Sequence, residues 1–223
     1  MKDYKLEHNL YKKHFRLTIF GSARIKKYDN AYKQVYELAK LIGDRNIDIV
    51  TGGGPGIMEA ACKGHHDGRK TKKTHTIGLN IIIPDEQIPN RHLDIKKDFE
   101  LFSERLDNFM ILSDVVVVAP GGIGTLLELA YTWQLVQVHH ICNIPIILMG
   151  DMWVNFYNWI KDNPLKKKFL SNKDLENIFL ASDFNDAFRI IQRFHDGYLK
   201  GDDICRNFNK YRIKINKDLK KWI

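Results

Sequence analysis

The sequence predicts an α/β fold: an open, doubly wound parallel sheet with helices on both faces. Three observations carry this prediction. Short β-branched apolar runs alternate along the chain with segments of helical periodicity. The run Val115-Val116-Val117-Val118 is continuously apolar rather than alternating, as a central parallel strand buried on both faces must be. Glycines cluster where three of the apolar runs end, at Gly21-Ser22, Gly52 to Gly56 and Pro120 to Gly124.

Taken in order, Leu17 to Phe20 reads as the first strand, stopped by Gly21-Ser22. Asn30 is positioned to cap a helix in which Val35, Leu38, Ala39 and Ile42 share one face, with Gly43 as its stop. Ile47 to Thr51 is a second strand. It runs into the glycine cluster, after which Ile57 to Ala61 is helical. Thr76 to Ile83 is a strand ended by Pro84, followed by a polar loop holding Pro89 and Asn90. Phe99 to Phe102 reads as extended, and Ser103 as the cap of a helix reaching about Leu112. Asp114 to Ala119 is the central strand, and Thr125 to Val138 a long helix behind it. Ile144 to Met149 is a strand, Met152 to Ile160 an aromatic-rich helix, Asn177 to Leu180 a last strand, and Asp183 opens a helix through Phe188, Ile191 and Phe194. Without repeats or a clear linker, one domain over residues 17–199 is the simplest division, with a basic N-terminal extension (1–16) and a basic C-terminal tail (200–223).

A chain of 223 residues with 44% hydrophobic content can bury a real core and is too apolar to be disordered. No apolar run approaches the roughly 20 residues that cross a bilayer, and Met1 to Lys5 leads into charged residues rather than an apolar signal segment. Three cysteines, Cys62, Cys142 and Cys205, are far apart with no C-x-x-C pair, so neither a disulfide framework nor a cysteine zinc site is expected, and a reducing cytoplasmic setting is. The formal charge of +8 divides as +3 over residues 1–16, +5 over residues 200–223 and zero between. The core is therefore expected to hold an anion by backbone amides, helix dipoles and placed side chains rather than by bulk charge.

In doubly wound sheets ligands bind at the carboxyl ends of the strands. Glycines there let the backbone approach a ligand, and the free N–H groups of the next helix point at an anion. On this ground Gly21, Ser22, Gly53, Gly54, Gly121, Gly122, Ile123, Gly124 and Thr125 are candidate phosphate-binding residues. Neither loop has the Gly-Lys-Ser/Thr of a nucleotide triphosphate loop. Neither completes G-x-G-x-x-G, since Leu127 and Glu59 stand where the third glycine belongs. A mononucleotide or a sugar phosphate remains. Glu128, four residues after Gly124 on one helix face, aims its carboxylate back at the crevice, where it can hold ribose hydroxyls, orient water or stabilise charge at an anomeric carbon. Arg105, on the helix before the valine strand, is a candidate partner for phosphate or sugar oxygens.

Pro120-Gly121-Gly122-Ile123-Gly124-Thr125-Leu126-Leu127-Glu128 resembles the P-G-G-x-G-T-x-x-E motif of the Lonely Guy family of nucleoside 5′-monophosphate phosphoribohydrolases, long labelled possible lysine decarboxylases. Phe20 to Arg24, Gly52 to Ala60 and Ile77 to Ile81 are similar to its longer-chain bacterial branch, and the resemblance spans about Leu17 to Gly150. It implies a modified Rossmann fold, a homodimer with sites near the interface, and Glu128 with Arg105 as the catalytic pair. The reaction implied is hydrolysis of the N-glycosidic bond to free base and ribose 5-phosphate, with Met58 a contact to the base; neither a cofactor nor a metal is expected. Leu106 and Leu127 depart from the family pattern, which has Lys after the Arg and an acid before the Glu.

Three other readings touch parts of the chain. A decarboxylase needs a Schiff-base lysine, and none stands at the three glycine-bearing strand ends. A non-catalytic nucleotide or cofactor carrier of the same fold keeps the loops without needing Glu128 and Arg105 together. A nucleic-acid module is suggested only by the tail, with Arg206, Phe208, Lys210, Tyr211, Arg212, Lys214 and Trp222, and is disfavoured against an amphipathic tail packing on protein. His65-His66 and His139-His140 read as surface or interface histidines rather than metal ligands, because adjacent helical residues diverge by about 100°.

Overall fold

The structure, a computed structural model, describes residues 14–82 and 88–201. The basic residues 1–13, Ile83, Pro84 and the tail from residue 202, including Cys205 and the aromatic and basic residues noted above, lie outside the described residues.

Seven strands form one parallel sheet: β1 (Arg16–Phe20), β2 (Asp48–Thr51), β3 (Thr76–Ile81), β4 (Ile95–Phe99), β5 (Val115–Val118), β6 (Ile146–Met149) and β7 (Ile178–Ala181). Among the described residues six α-helices connect and flank them: α1 (Asn30–Asp44), α2 (Ile57–Gly68), α3 (Phe102–Leu112), α4 (Ile123–Gln137), α5 (Met152–Ile160) and α6 (Phe184–Lys200). The strand order is β4-β3-β2-β1-β5-β6-β7. The chain therefore builds outward from β1 in one direction and returns to its other side with β5, pairing Leu17 with Val115 and Phe20 with Val118. This reversal between β1 and β5 is the switch point at which such sheets open a crevice.

All four valines of β5 are fully buried, and their pleat divides them between two cores. Val116 and Val118 pack with Phe109, Met110, Leu129 and Trp153 under α3, α4 and α5. Val115 and Val117 pack with Val35, Leu38, Ile57, Ala187 and Ile191 under α1, α2 and α6. The sheet is thus covered on both faces, the doubly wound α/β fold predicted from the sequence.

Several expectations are corrected in detail. The helix predicted to stop at Gly43 continues to Asp44. Gly43 instead makes room, since a Cβ there would lie 2.4 Å from the His65 carbonyl oxygen of α2. Asp29 rather than Asn30 precedes α1, and Leu101 rather than Ser103 precedes α3. β4 was read as loop: only Ile95 and Phe99 are buried, with charged Lys96, Lys97 and Asp98 between them, as befits an edge strand. Arg16, counted with the N-terminal extension, opens β1 and sits 3.6 Å from buried Asp48. His65 is a core residue rather than a surface one, its Nε2 lying 2.9 Å from the Ile47 carbonyl oxygen, and burial pushes it down to about 4. Cys142 is disulfide-bonded, while Cys62 is buried and free. The expectation of no disulfide is corrected to that extent. No helix among the described residues is long and apolar enough to cross a membrane.

Helices α1 and α2 approach closely enough that a Cβ on Gly64 would lie 2.2 Å from the Tyr36 carbonyl oxygen. Alanine is ordinarily about 1 kcal/mol better than glycine in a helix. Here the backbones must separate, and we expect Gly64→Ala to lower stability by about 1–3 kcal/mol in urea titration.

Candidate active site

The carboxyl ends of β1, β2, β3 and β5 surround a cavity of about 360 Å³. Each wall follows from local sequence. After β1, the Ser22 N–H donates to the Pro120 carbonyl (3.0 Å), which ties the β1 loop to the β5 loop across the switch point. After β2, Gly53 (φ 76°) and Gly56 (φ 67°) occupy the left-handed region that glycine alone enters freely. A Cβ on Gly56 would also meet the Ser22 carbonyl oxygen at 2.5 Å. After β5, α4 begins at Ile123. A side chain at Gly122 or Gly124 would meet nothing within 4 Å, so the first turn of α4 opens onto free space.

Of the residues predicted from sequence, Gly21, Ser22, Gly54, Met58, Gly122, Ile123, Gly124 and Thr125 line this cavity, together with Arg105 and Glu128. Gly53 and Gly121 do not line it. Gly53 lies beneath the loop, its N–H donating to Thr51 Oγ1 (3.1 Å), and Gly121 lies under the side chain of Thr125. Sequence reasoning missed Arg24, Gly52, Asn80 and Pro89 as further lining residues. Gly52 stood within the quoted glycine cluster, and a Cβ there would lie 2.4 Å from Arg105 Nη2, so glycine is what admits the guanidinium. Asn90 was also missed. Its Nδ2 donates to the carbonyls of Gly53 and Gly54 (both 3.0 Å), and its own N–H donates to Gly53 O (2.8 Å). This one side chain braces the β2 loop. Asn90→Ala would leave two loop carbonyls without that donor, and we expect a loss of about 1–3 kcal/mol by thermal unfolding.

At the centre, Arg105 Nη1 lies 3.6 Å from Glu128 Oε1, and both side chains are nearly buried at 11% and 12% exposure. Arg105 Nε donates to the Leu79 carbonyl (2.7 Å), and its Cζ lies 5.1 Å from the Phe109 ring centroid. Burial pushes the Glu128 carboxyl up to about 7, the Arg105 guanidinium pulling the other way less strongly. A carboxylate poised near neutrality can take a proton from water or face a developing cation. No lysine is among the residues lining the cavity. No group of His, Cys, Asp and Glu among the described residues is arranged to hold a metal ion.

A family profile described as "Possible lysine decarboxylase" matches residues 58–191. A pyrimidine/purine nucleotide 5′-monophosphate nucleosidase of Escherichia coli (strain K12) is 34% identical over 131 residues, covering 55% of this chain, which spans only 28% of that relative's length. A cytokinin riboside 5′-monophosphate phosphoribohydrolase of Arabidopsis thaliana is 26% identical over 187 residues, covering 80% of this chain and 82% of the relative. Among solved structures, the molybdenum cofactor binding protein from Rippkaea orientalis superposes with a TM-score of 0.63 at 21% identity, covering 82% of this chain and 99% of its own, a likeness of fold alone. The matched span carries Arg105, the glycine loop before α4 and Glu128, and the chain belongs to the possible lysine decarboxylase family, also known as the Lonely Guy family.

Proposed function

We propose that the protein is a nucleoside 5′-monophosphate phosphoribohydrolase, cleaving the N-glycosidic bond to release free base and ribose 5-phosphate. The observation that carries this reading is the desolvated Glu128 carboxyl, 3.6 Å from Arg105, one helical turn from the open start of α4. Four residues of helix span about 6 Å, roughly the reach of one ribose. A phosphate at the N–H groups of Ile123, Gly124 and Thr125 therefore sets the sugar against Glu128. As the bond from C1′ to the base breaks, its electron pair leaves with the base and positive charge grows on the sugar. The Glu128 carboxylate faces that charge and takes the proton of the attacking water, whose oxygen bonds to C1′. The proton that Glu128 took passes to the departing base, which leaves neutral, and the carboxylate is regenerated. Arg105, held by Leu79 and Phe109, keeps Glu128 ionised and placed. Met58, at 3.4 Å from the Gly54 N–H, stands on the wall where a base would lie.

We further read the active form as a homodimer. Leu101, Phe102, Ile123 and Leu127 are all about half exposed or more at the starts of α3 and α4, beside the cavity, an apolar edge that a second copy would cover. The decarboxylase reading lacks the lysine it needs at this site. Incubating the full chain with AMP, CMP, GMP, UMP and a cytokinin riboside monophosphate, and resolving products by chromatography, tests the proposal. Release of base from at least one is expected. Binding without release from any would favour the carrier instead.

A further inference from the structure

We propose that Arg24 is the residue that recognises the substrate's phosphate, and so selects nucleotides over nucleosides; this rests on the phosphoribohydrolase reading above. Two cationic side chains line the cavity, Arg105 and Arg24, and their situations are opposite. Arg105 is nearly buried and committed, with Leu79 O on Nε, Glu128 on Nη1 and the Phe109 ring beneath. A phosphate placed on it would also face the Glu128 carboxylate, so the deep arginine is a poor phosphate ligand.

Arg24 is exposed at the rim, and no carboxylate among the described residues is paired with it. Its place is fixed by the loop. Its N–H donates to Ser22 Oγ (3.1 Å), while Ser22 is held to both neighbouring loops, donating to Pro120 O (3.0 Å) and accepting from Ile57 N–H (3.0 Å). That network anchors the loop carrying Arg24, and residue 24 lines the same cavity as Gly122, Ile123, Gly124 and Thr125, where a Cβ on Gly122 or Gly124 would meet nothing within 4 Å. The other cations of this loop are turned to different work. Lys27 pairs with Glu59 at 3.1 Å, and neither it nor Lys26 lines the cavity. An arginine and a helix start that line one cavity can clamp a phosphate between them, the planar fork giving two donors and the helix giving its dipole and amides. The core between the charged ends is formally neutral, so this single side chain supplies most of the charge selectivity at the mouth.

The test compares wild type with Arg24→Gln and Arg24→Lys. Isothermal calorimetry with ribose 5-phosphate measures the clamp without requiring turnover. We expect Arg24→Gln to weaken ribose 5-phosphate binding about 10- to 100-fold and to raise KM for a monophosphate by a similar factor. Binding of the matching nucleoside, which has no phosphate, should stay within about twofold, and Arg24→Lys should recover part of the loss. Unchanged ribose 5-phosphate affinity in Arg24→Gln, or equal weakening of nucleoside and nucleotide, would overturn the assignment. Tight binding of ribose 5-phosphate by wild type with no base released from any monophosphate would instead defeat the hydrolase reading and leave the clamp standing.

Discussion

Replacing Glu128 by Gln is expected to lower base release at least about 1,000-fold, some 4 kcal/mol of barrier, while leaving a folded protein. The side chain keeps its size and loses only the charge, so the loss should appear in kcat more than in KM. The same residue predicts the pH dependence. The working form is the carboxylate, and burial holds its pKa at about 7, so kcat/KM should climb as pH rises from 5.5 and level off above about 7.5. Stability runs the other way. The folded pKa lies above the ordinary value of 4.5, so the folded protein holds a proton between about 4.5 and 7 that the unfolded chain has lost. Stability therefore falls as pH rises through that window. Gln carries no charge, so Glu128→Gln should match wild type near pH 4 and exceed it by about 1–3 kcal/mol at pH 8, read as a higher Tm.

The second large effect concerns Arg105. Arg105→Ala removes the cation that holds Glu128 ionised and leaves the Leu79 carbonyl without that donor. We expect a loss of about 100- to 1,000-fold in kcat/KM, corresponding to roughly 3–4 kcal/mol. We also expect the rising limb of the pH profile to move above its wild-type position, because the group lowering the Glu128 pKa is gone. A merely structural arginine would lower the rate without moving that limb. Arg105→Lys should restore the limb more than the rate, since a lysine keeps the charge but loses the fork that reaches Leu79 and Glu128 together.

The fold was legible because its strongest signals are local. Four consecutive valines announce a strand buried on both faces, and glycines between strand and helix announce the turn at its carboxyl end. β4 was not legible, because an edge strand here buries only Ile95 and Phe99 of its five residues and shows charges between. His65 misled for a related reason: beside His66 it looks polar, yet its ring reaches the Ile47 carbonyl inside the core. At the site, Glu128 could be read from helical spacing to Gly124, a relation within one element. The pairing of Arg105 with Glu128 spans two helices and the strand between them, and nothing in a spacing of that length fixes a contact of 3.6 Å. Arg24 and Asn90 escaped notice because their roles depend on which loops meet at the switch point. The sequence states the loops, and the sheet order brings them together.

The most direct measurement follows the phosphorus of a nucleoside monophosphate by NMR while base is quantified from the same tube, with wild type and Glu128→Gln side by side. The account predicts that wild type converts the substrate resonance to that of ribose 5-phosphate, with one free base per turnover and no orthophosphate, and that Glu128→Gln leaves it unchanged. Orthophosphate with intact nucleoside, an unchanged spectrum for every monophosphate with wild type, or equal turnover by Glu128→Gln would contradict it.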